Sequence, residues 1–307
     1  MKRSKINLKR GLFIVFASFL WLLPSVARAV NCDTDGPGAL QAAIDAATGP
    51  TTILVSGTCN ENVAIREDKN RISLDGQGTA TISGPVTTSS VIQVRGRGIT
   101  ILNFAFIAGG QDGILVTRGG TADIQSNTIQ STGGNGLVVN SHSFARIINN
   151  TIQNNPLDGI VVSENSSARV GFLSFNDTAA SPNTIQGNGY RGVTVVRSSN
   201  AVIVGNTISN NVDDGVVVSR DSQADMSDNI INSNGGSGIF VSRNSGVNLG
   251  NDTGTSIFDL PNSTTVNNTG FGIECVTNSY ADGRQGTVTG VTGATSFSSS
   301  CVNSLIP

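Results

Sequence analysis

Two rows of charged residues recur at fixed spacing in this chain. In the first, Asp158, Arg191 and Asp214 each stand directly before a glycine, with Tyr190 beside the arginine and Asp213 beside the last aspartate. In the second, Arg197, Arg220 and Arg243 follow one another at intervals of 23 residues. An arginine fork grips a carboxylate through two parallel hydrogen bonds, and a neighbouring aspartate can accept or release a proton. These residue types suit chemistry on an acidic sugar. Arg191, Asp213, Asp214 and Asp158 are the catalytic candidates; Tyr190, Arg197, Arg220 and Arg243 are the candidates for holding substrate. If the first row lies on successive rungs of a sheet, Asp158 and Asp214 stand about 9.6 Å apart, at the wide end for inverting glycoside hydrolysis. Calcium on Asp158, Asp213 and Asp214 is a further option, because hard cations take oxygen ligands. No other cofactor is expected. The plain alternative is a solvated Asp–Arg–Asp ladder beside a solvated arginine edge.

The elements that must position these rows form a repeating unit. It reads GLVVNSHSFARIINNTIQNNPLDG from Gly136 and GVTVVRSSNAVIVGNTISNNVDDG from Gly192. Successive opening glycines, from Gly113 through Gly136, Gly159, Gly192, Gly215 and Gly238 to Gly272, are 23, 23, 33, 23, 23 and 34 residues apart. A fixed period of this kind marks a solenoid. Each unit holds three short apolar segments and no helical pattern, so the strands pair with the next coil in parallel. Equivalent residues then stack into columns. Ile114, Leu137, Ile160 and Val193 form one inward column, and Val116, Val139, Val162 and Val195 another. Asn127, Asn150, Asn183, Asn206 and Asn229 form an amide ladder at one corner; Asn155, Asn188, Asn211, Asn234 and Asn268 form a second. The repeated glycine fits a corner that needs positive φ.

The coils, together with ILVSGTCNENVAI and NRISLDGQGTATISG in residues 53–84, resemble the right-handed parallel β-helix of the pectin-lyase-like superfamily. The resemblance covers nearly all of the chain after its leader. It implies an all-β fold: a single-stranded right-handed parallel β-helix of ~23-residue coils. It leaves function open, because that fold hosts lyases, hydrolases, esterases, epimerases, adhesins and inert scaffolds. Calcium-dependent lyases of the superfamily use an arginine or lysine as base. Asp213-Asp214 is similar to the paired aspartates of polygalacturonase-like enzymes, but the Gly-His-Gly that follows them there is missing.

Residues 1–29 read as a signal peptide: a basic start, an apolar run from Gly11 to Leu23, and Ala27-Arg28-Ala29 as the cleavage site. Residues 30–307 read as one β-helix domain, with an N-terminal cap over 30–60 and a C-terminal cap or tail over 284–307. Within the first cap, PGALQAAIDAATGP has the spacing of a short amphipathic helix with Pro37 at its first position. Removing the leader takes away six basic residues and no acid, leaving 13 basic against 21 acidic, net −8. That balance argues against nucleic acid as a partner, and no membrane insertion is expected after cleavage. Four cysteines suit an exported chain, whether secreted, periplasmic or on the cell surface. Three pairings are possible, and proximity along a rod favours Cys32 with Cys59 and Cys275 with Cys301. The two long coils carry insertions near 171–182 and 250–261, with Phe172, Phe175, Asn176, Asp177, Asn251, Asp252, Phe258 and Asp259. Three rungs, about 15 Å, separate them, wide enough to frame a groove. The outward column Leu115, Val138, Val161, Thr194, Val217, Phe240 is apolar and invites a cover, either the C-terminal segment or a partner. His142, the only histidine, has no matched acid column. The functions expected are a polysaccharide-interacting protein of the lyase or hydrolase kind, or a non-catalytic scaffold or adhesin; the oligomeric state is left open.

Overall fold

The repeat closes into stacked coils because every backbone group then finds a partner on the coil above or below. The computed structural model describes residues 26–250, 256–264 and 267–306. Each coil gives one strand to each of three parallel sheets. Sheet 1 has twelve strands, from Val26–Asn31 to Val302–Ile306; sheet 2 has ten, from Thr58–Cys59 to Thr287–Val288; sheet 3 has ten, from Val63–Ile65 to Gly293–Phe297. The inward columns form as the spacing predicts. Val195 lies between Val162 and Val218 in register, and all three are fully buried. One apolar cluster runs from Val30 and the N-terminal helix to Val288.

The asparagine ladders carry the corners. Asn206 is fully buried. Its amide donates to the Val170 and Val204 carbonyls and to Asn229 Oδ1, and its oxygen accepts from Asn183. The first ladder extends one rung beyond the sequence pattern, to Asn262. Thr132 heads the second, donating its hydroxyl to Asn155.

The opening glycine has a different cause from the expected one: no glycine of this column has positive φ. A Cβ at Gly192 would press on the Gly215 carbonyl, the Ile208 side chain and the Asn211 amide. Close approach excludes a side chain there. Positive φ falls instead at other corner positions, most of them not glycine; between sheets 3 and 1 it falls on Arg197, Arg220 and Arg243 (57°, 60° and 58°) and the residue after each.

The ends are closed differently. At the N-terminus, helix α1 (Cys32–Asp35) precedes helix α2 (Ala39–Asp45), which buries Leu40, Ala43 and Ile44 on the first coils. The second helix starts two residues later than expected, at Ala39 with Gly38 as its cap (φ 79°). Glu61 completes that cap by accepting the N–H groups of Leu40 and Gln41 (3.1 and 2.9 Å). Val26–Asn31, which contains the Ala27-Arg28-Ala29 site, pairs along Thr51–Ser56 as the outermost strand of sheet 1. Residues 1–25, most of the expected leader, lie outside the described residues. At the other end, residues 287–306 make a last full coil with one strand in each sheet, and so do not cover the outward face of sheet 3. Both disulfides are local, Cys32–Cys59 and Cys275–Cys301. Among the described residues no helix is long and apolar enough to cross a membrane.

The two insertions leave sheet 1 at the same corner, but they do not frame an open gap. Phe172, Phe175 and Phe258 meet with ring centroids 5.0–5.4 Å apart, joining the loops over the intervening rungs. Burial of the aromatic faces outweighs leaving them in water. Asn251 and Asp252 lie outside the described residues.

Candidate active site on the outer face of sheet 3

The outward column of sheet 3 is the floor of a groove of about 470 Å³. Val161, Thr194, Val217 and Phe240 line it, which explains why these positions are apolar and why Thr194 and Val217 are nearly buried. One wall is the sheet 3–sheet 1 corner. There the left-handed backbone turns Arg197, Arg220 and Arg243 into the groove, a rung apart. Among the described residues none of the three forms an ion pair. Three unneutralised cations about 4.8 Å apart repel one another, and an anionic ligand would relieve that.

The other wall is the corner before the strand, with Tyr190, Arg191 and Asp158. Arg191 was expected midway between Asp158 and Asp214, but its guanidinium leans to one side. Its Nε lies 3.2 Å from Asp213 and 3.9 Å from Asp214, and no ion pair to Asp158 forms. Its guanidinium carbon sits 4.2 Å from the centre of the Tyr190 ring, a cation–π contact. Asp158 meets Arg191 through the main chain, accepting its N–H at 3.0 Å. Thus Asp158 faces the groove, whereas Asp213 and Asp214 hold Arg191 from behind.

The aspartates also serve the fold. Asp214 accepts the Ser237 N–H at 2.7 Å, as Asp112 accepts that of Asn135. Burial pushes the Asp214 carboxyl up to about 6; the charge of Asp213 adds to this, that of Glu274 adds less, and the Ser237 N–H and Arg191 oppose it. Asp158 is also raised, first by burial and with a lesser push from the Asp213 charge, against the pull of the Arg191 N–H and the Arg191 charge. Ser237 and Glu274 were not singled out by sequence. The Ser237 hydroxyl donates to Glu274 at 2.8 Å, which ties that carboxylate to the Asp214 rung. Only their column positions pointed to them.

Among the described residues the only compact group of potential metal ligands is Cys32, Cys59 and Glu61, and both cysteines are in a disulfide. His142 is exposed at a corner with φ 62° and does not line the groove.

The family described as "Right handed beta helix region" matches residues 51–180 and 112–288. The chain belongs to the right-handed β-helix family. That membership gives the coils their hand, in keeping with the handedness of parallel crossovers. A search of curated proteins found no match. Among solved structures, the chain is similar to the A-module of the mannuronan C-5 epimerase AlgE4 of Azotobacter vinelandii. The identity is 16% and the TM-score 0.53, over 87% of this chain and 90% of that one. It is also similar to a mutant of the periplasmic alginate epimerase AlgG, at 13% identity and TM-score 0.51, over 91% of this chain and 84% of that one. At these identities the likeness is one of right-handed β-helix architecture.

Proposed function

We propose that this β-helix is an exported protein that binds an acidic polysaccharide along the sheet 3 groove and acts on it beside Arg191. The observation that carries this reading is the groove itself. One wall holds three exposed arginines without ion-pair partners, and the other holds Tyr190, Arg191 and Asp158. A polymer with a carboxylate on successive units can place them against successive arginines, each accepting a forked pair of hydrogen bonds. The names of the similar structures, mannuronan and alginate epimerases, favour a uronate polymer. Export is supported by the leader and by the two disulfides.

The reaction we propose starts with removal of the proton next to a uronate carboxylate. Arg191, braced by Asp213, neutralises that carboxylate and so stabilises the charge that develops. Asp158, with its raised affinity for a proton, takes the proton from the sugar. If the bond to the neighbouring glycosidic oxygen then breaks and that oxygen is protonated, the polymer is cleaved. If a proton returns to the opposite face, the sugar is epimerised.

The experiment compares wild type, Arg191→Ala and an Arg197/Arg220/Arg243→Ala triple variant for polyuronate binding and product formation, with and without calcium. Loss of binding in the triple variant, and loss of turnover at retained binding in Arg191→Ala, is the expected pattern. If the wild type neither binds nor converts any polyuronate, the scaffold reading replaces this one.

A further inference from the structure

We propose that the outer face of sheet 1, towards the C-terminal end of the rod, is a second saccharide site that takes neutral glycans and rejects uronates. It lies on a different face from the arginine-walled groove and does not depend on the function proposed for that groove.

The site starts from one small residue. Gly246 pairs in register with Gln223 on one side and Tyr280 on the other. A side-chain carbon at Gly246 would come within 2.1 Å of the Tyr280 ring. The ring therefore runs along the sheet, occupying the space the glycine leaves, and its hydroxyl donates to Gln223 Oε1 at 2.6 Å, two rungs from its own backbone. Burial raises the affinity of that hydroxyl for its proton, and the charges of Asp225 and Asp282 raise it further. It thus remains a donor to Gln223 at neutral pH, which fixes the ring.

Beside this platform runs the next outward column, Asp225, Asn248 and Asp282, one residue per rung. The Asn248 amide donates to Asp225 at 2.9 Å, and all three side chains are exposed. These three and the loop aromatics Phe175 and Phe258 line a groove of about 510 Å³. Phe172, fully buried behind them, anchors that wall, while Phe175 remains 57% exposed. Asp259 also lines the groove, but its carboxylate accepts the Ser256 N–H and hydroxyl, so it holds the loop.

This combination fits a sugar. A fixed aromatic ring accepts the C–H face of a pyranose, and planar carboxylate and amide groups beside it meet the ring hydroxyls. Carboxylates only accept, so the ligand must offer donors, which hydroxyls are. No basic residue lines this groove, and Arg169 beside it is stacked on the Phe175 ring at 4.5 Å, so a uronate beside the Tyr280 platform would bring its own charge against Asp225 and Asp282. The two grooves thus differ in the sign of their linings: arginines on sheet 3, aspartates on sheet 1.

The test is titration of the full chain with neutral hexasaccharides (cellohexaose, mannohexaose and xylohexaose), with an oligouronate of equal length as the acidic control. The variants are Tyr280→Ala, Gly246→Ala, Asp225→Asn and Arg220→Asn, each checked for its fold by circular dichroism. Gly246→Ala displaces the ring without removing it and keeps the test usable should Tyr280→Ala fold poorly. Affinity for at least one neutral hexasaccharide should fall about tenfold in Tyr280→Ala and in Gly246→Ala and stay unchanged in Arg220→Asn. Asp225→Asn should weaken neutral binding, because one carboxylate oxygen that accepts from sugar hydroxyls is replaced by a donor. The proposal is overturned if no neutral hexasaccharide binds the wild type at millimolar concentration. It is also overturned if neutral binding survives both platform variants or is lost in Arg220→Asn.

Discussion

Replacing Asp214 by asparagine should stabilise the protein at neutral pH and not at acidic pH. The folded carboxyl holds its proton up to about pH 6, whereas the ordinary value is 3.8. Between those values the folded state binds more protons than the unfolded state, so stability falls as pH rises through that window. Above pH 6 the folded chain carries a charge that burial and the Asp213 carboxylate both disfavour. About two pK units correspond to about 3 kcal/mol. Asparagine keeps an oxygen to accept the Ser237 N–H, which is 2.7 Å from the present acceptor. Its new N–H2 faces Arg191 without an acceptor, at a cost of about 1 kcal/mol that does not vary with pH. The informative quantity is therefore the difference between variant and wild type, followed from pH 4 to pH 7.5. Over that window it should change by about 2.5 kcal/mol, or about 5 °C in melting temperature for a chain of this size. Because solenoid coils can unfold in parts, hydrogen exchange at the Ser237 amide gives a second, local reading of the same effect. Stability curves that run parallel across this pH range would refute the buried-carboxylate argument.

Val195→Asp should cost several kcal/mol, because it places an unpaired charge in a fully buried column between Val162 and Val218. Arg220→Asn should be neutral or stabilising by up to about 1 kcal/mol, since asparagine tolerates the left-handed φ of 60° better than arginine does; denaturant unfolding of the two variants side by side checks both. Asn206→Ala should cost about 3 kcal/mol, measured in the same way, because it leaves the Val170 and Val204 carbonyls and the neighbouring asparagines short of partners in a dry corner. A non-reduced digest should yield Cys32 joined to Cys59 and Cys275 joined to Cys301, and replacing the first pair should cost about 3.5 kcal/mol on the loop-closure argument; a link between the two ends of the rod would contradict the register.

What the sequence determined by itself was whatever repeats. A column such as Val162, Val195, Val218 is legible because one coil must stack on the next, so spacing along the chain translates directly into register. The asparagine ladders, the local disulfides and the coil-length insertions follow from the same rule. The two charged rows were legible too, since Tyr190, Arg191 and Arg197 sit at fixed offsets from the same glycine, but the sequence reading put the groove between the insertions and only the fold set these rows on opposite walls of one groove. Tertiary structure decided everything that depends on direction within a corner or on contact between coils of unequal length. A recurring glycine reads alike whether it needs positive φ or merely lacks room for a side chain, and only the packing against the Gly215 carbonyl and Ile208 shows that Gly192 is the second kind. Asp158 and Asp214 occupy one column, yet the lean of Arg191 towards Asp213 leaves one aspartate facing the groove and the other behind it. The joining of the two insertions through Phe172, Phe175 and Phe258, and the laying of Tyr280 across Gly246, are contacts between residues that no period relates. Periodicity specifies neighbours along a column, whereas side-chain direction at a turn and contact between insertions are set by local backbone angles and by which apolar surfaces meet.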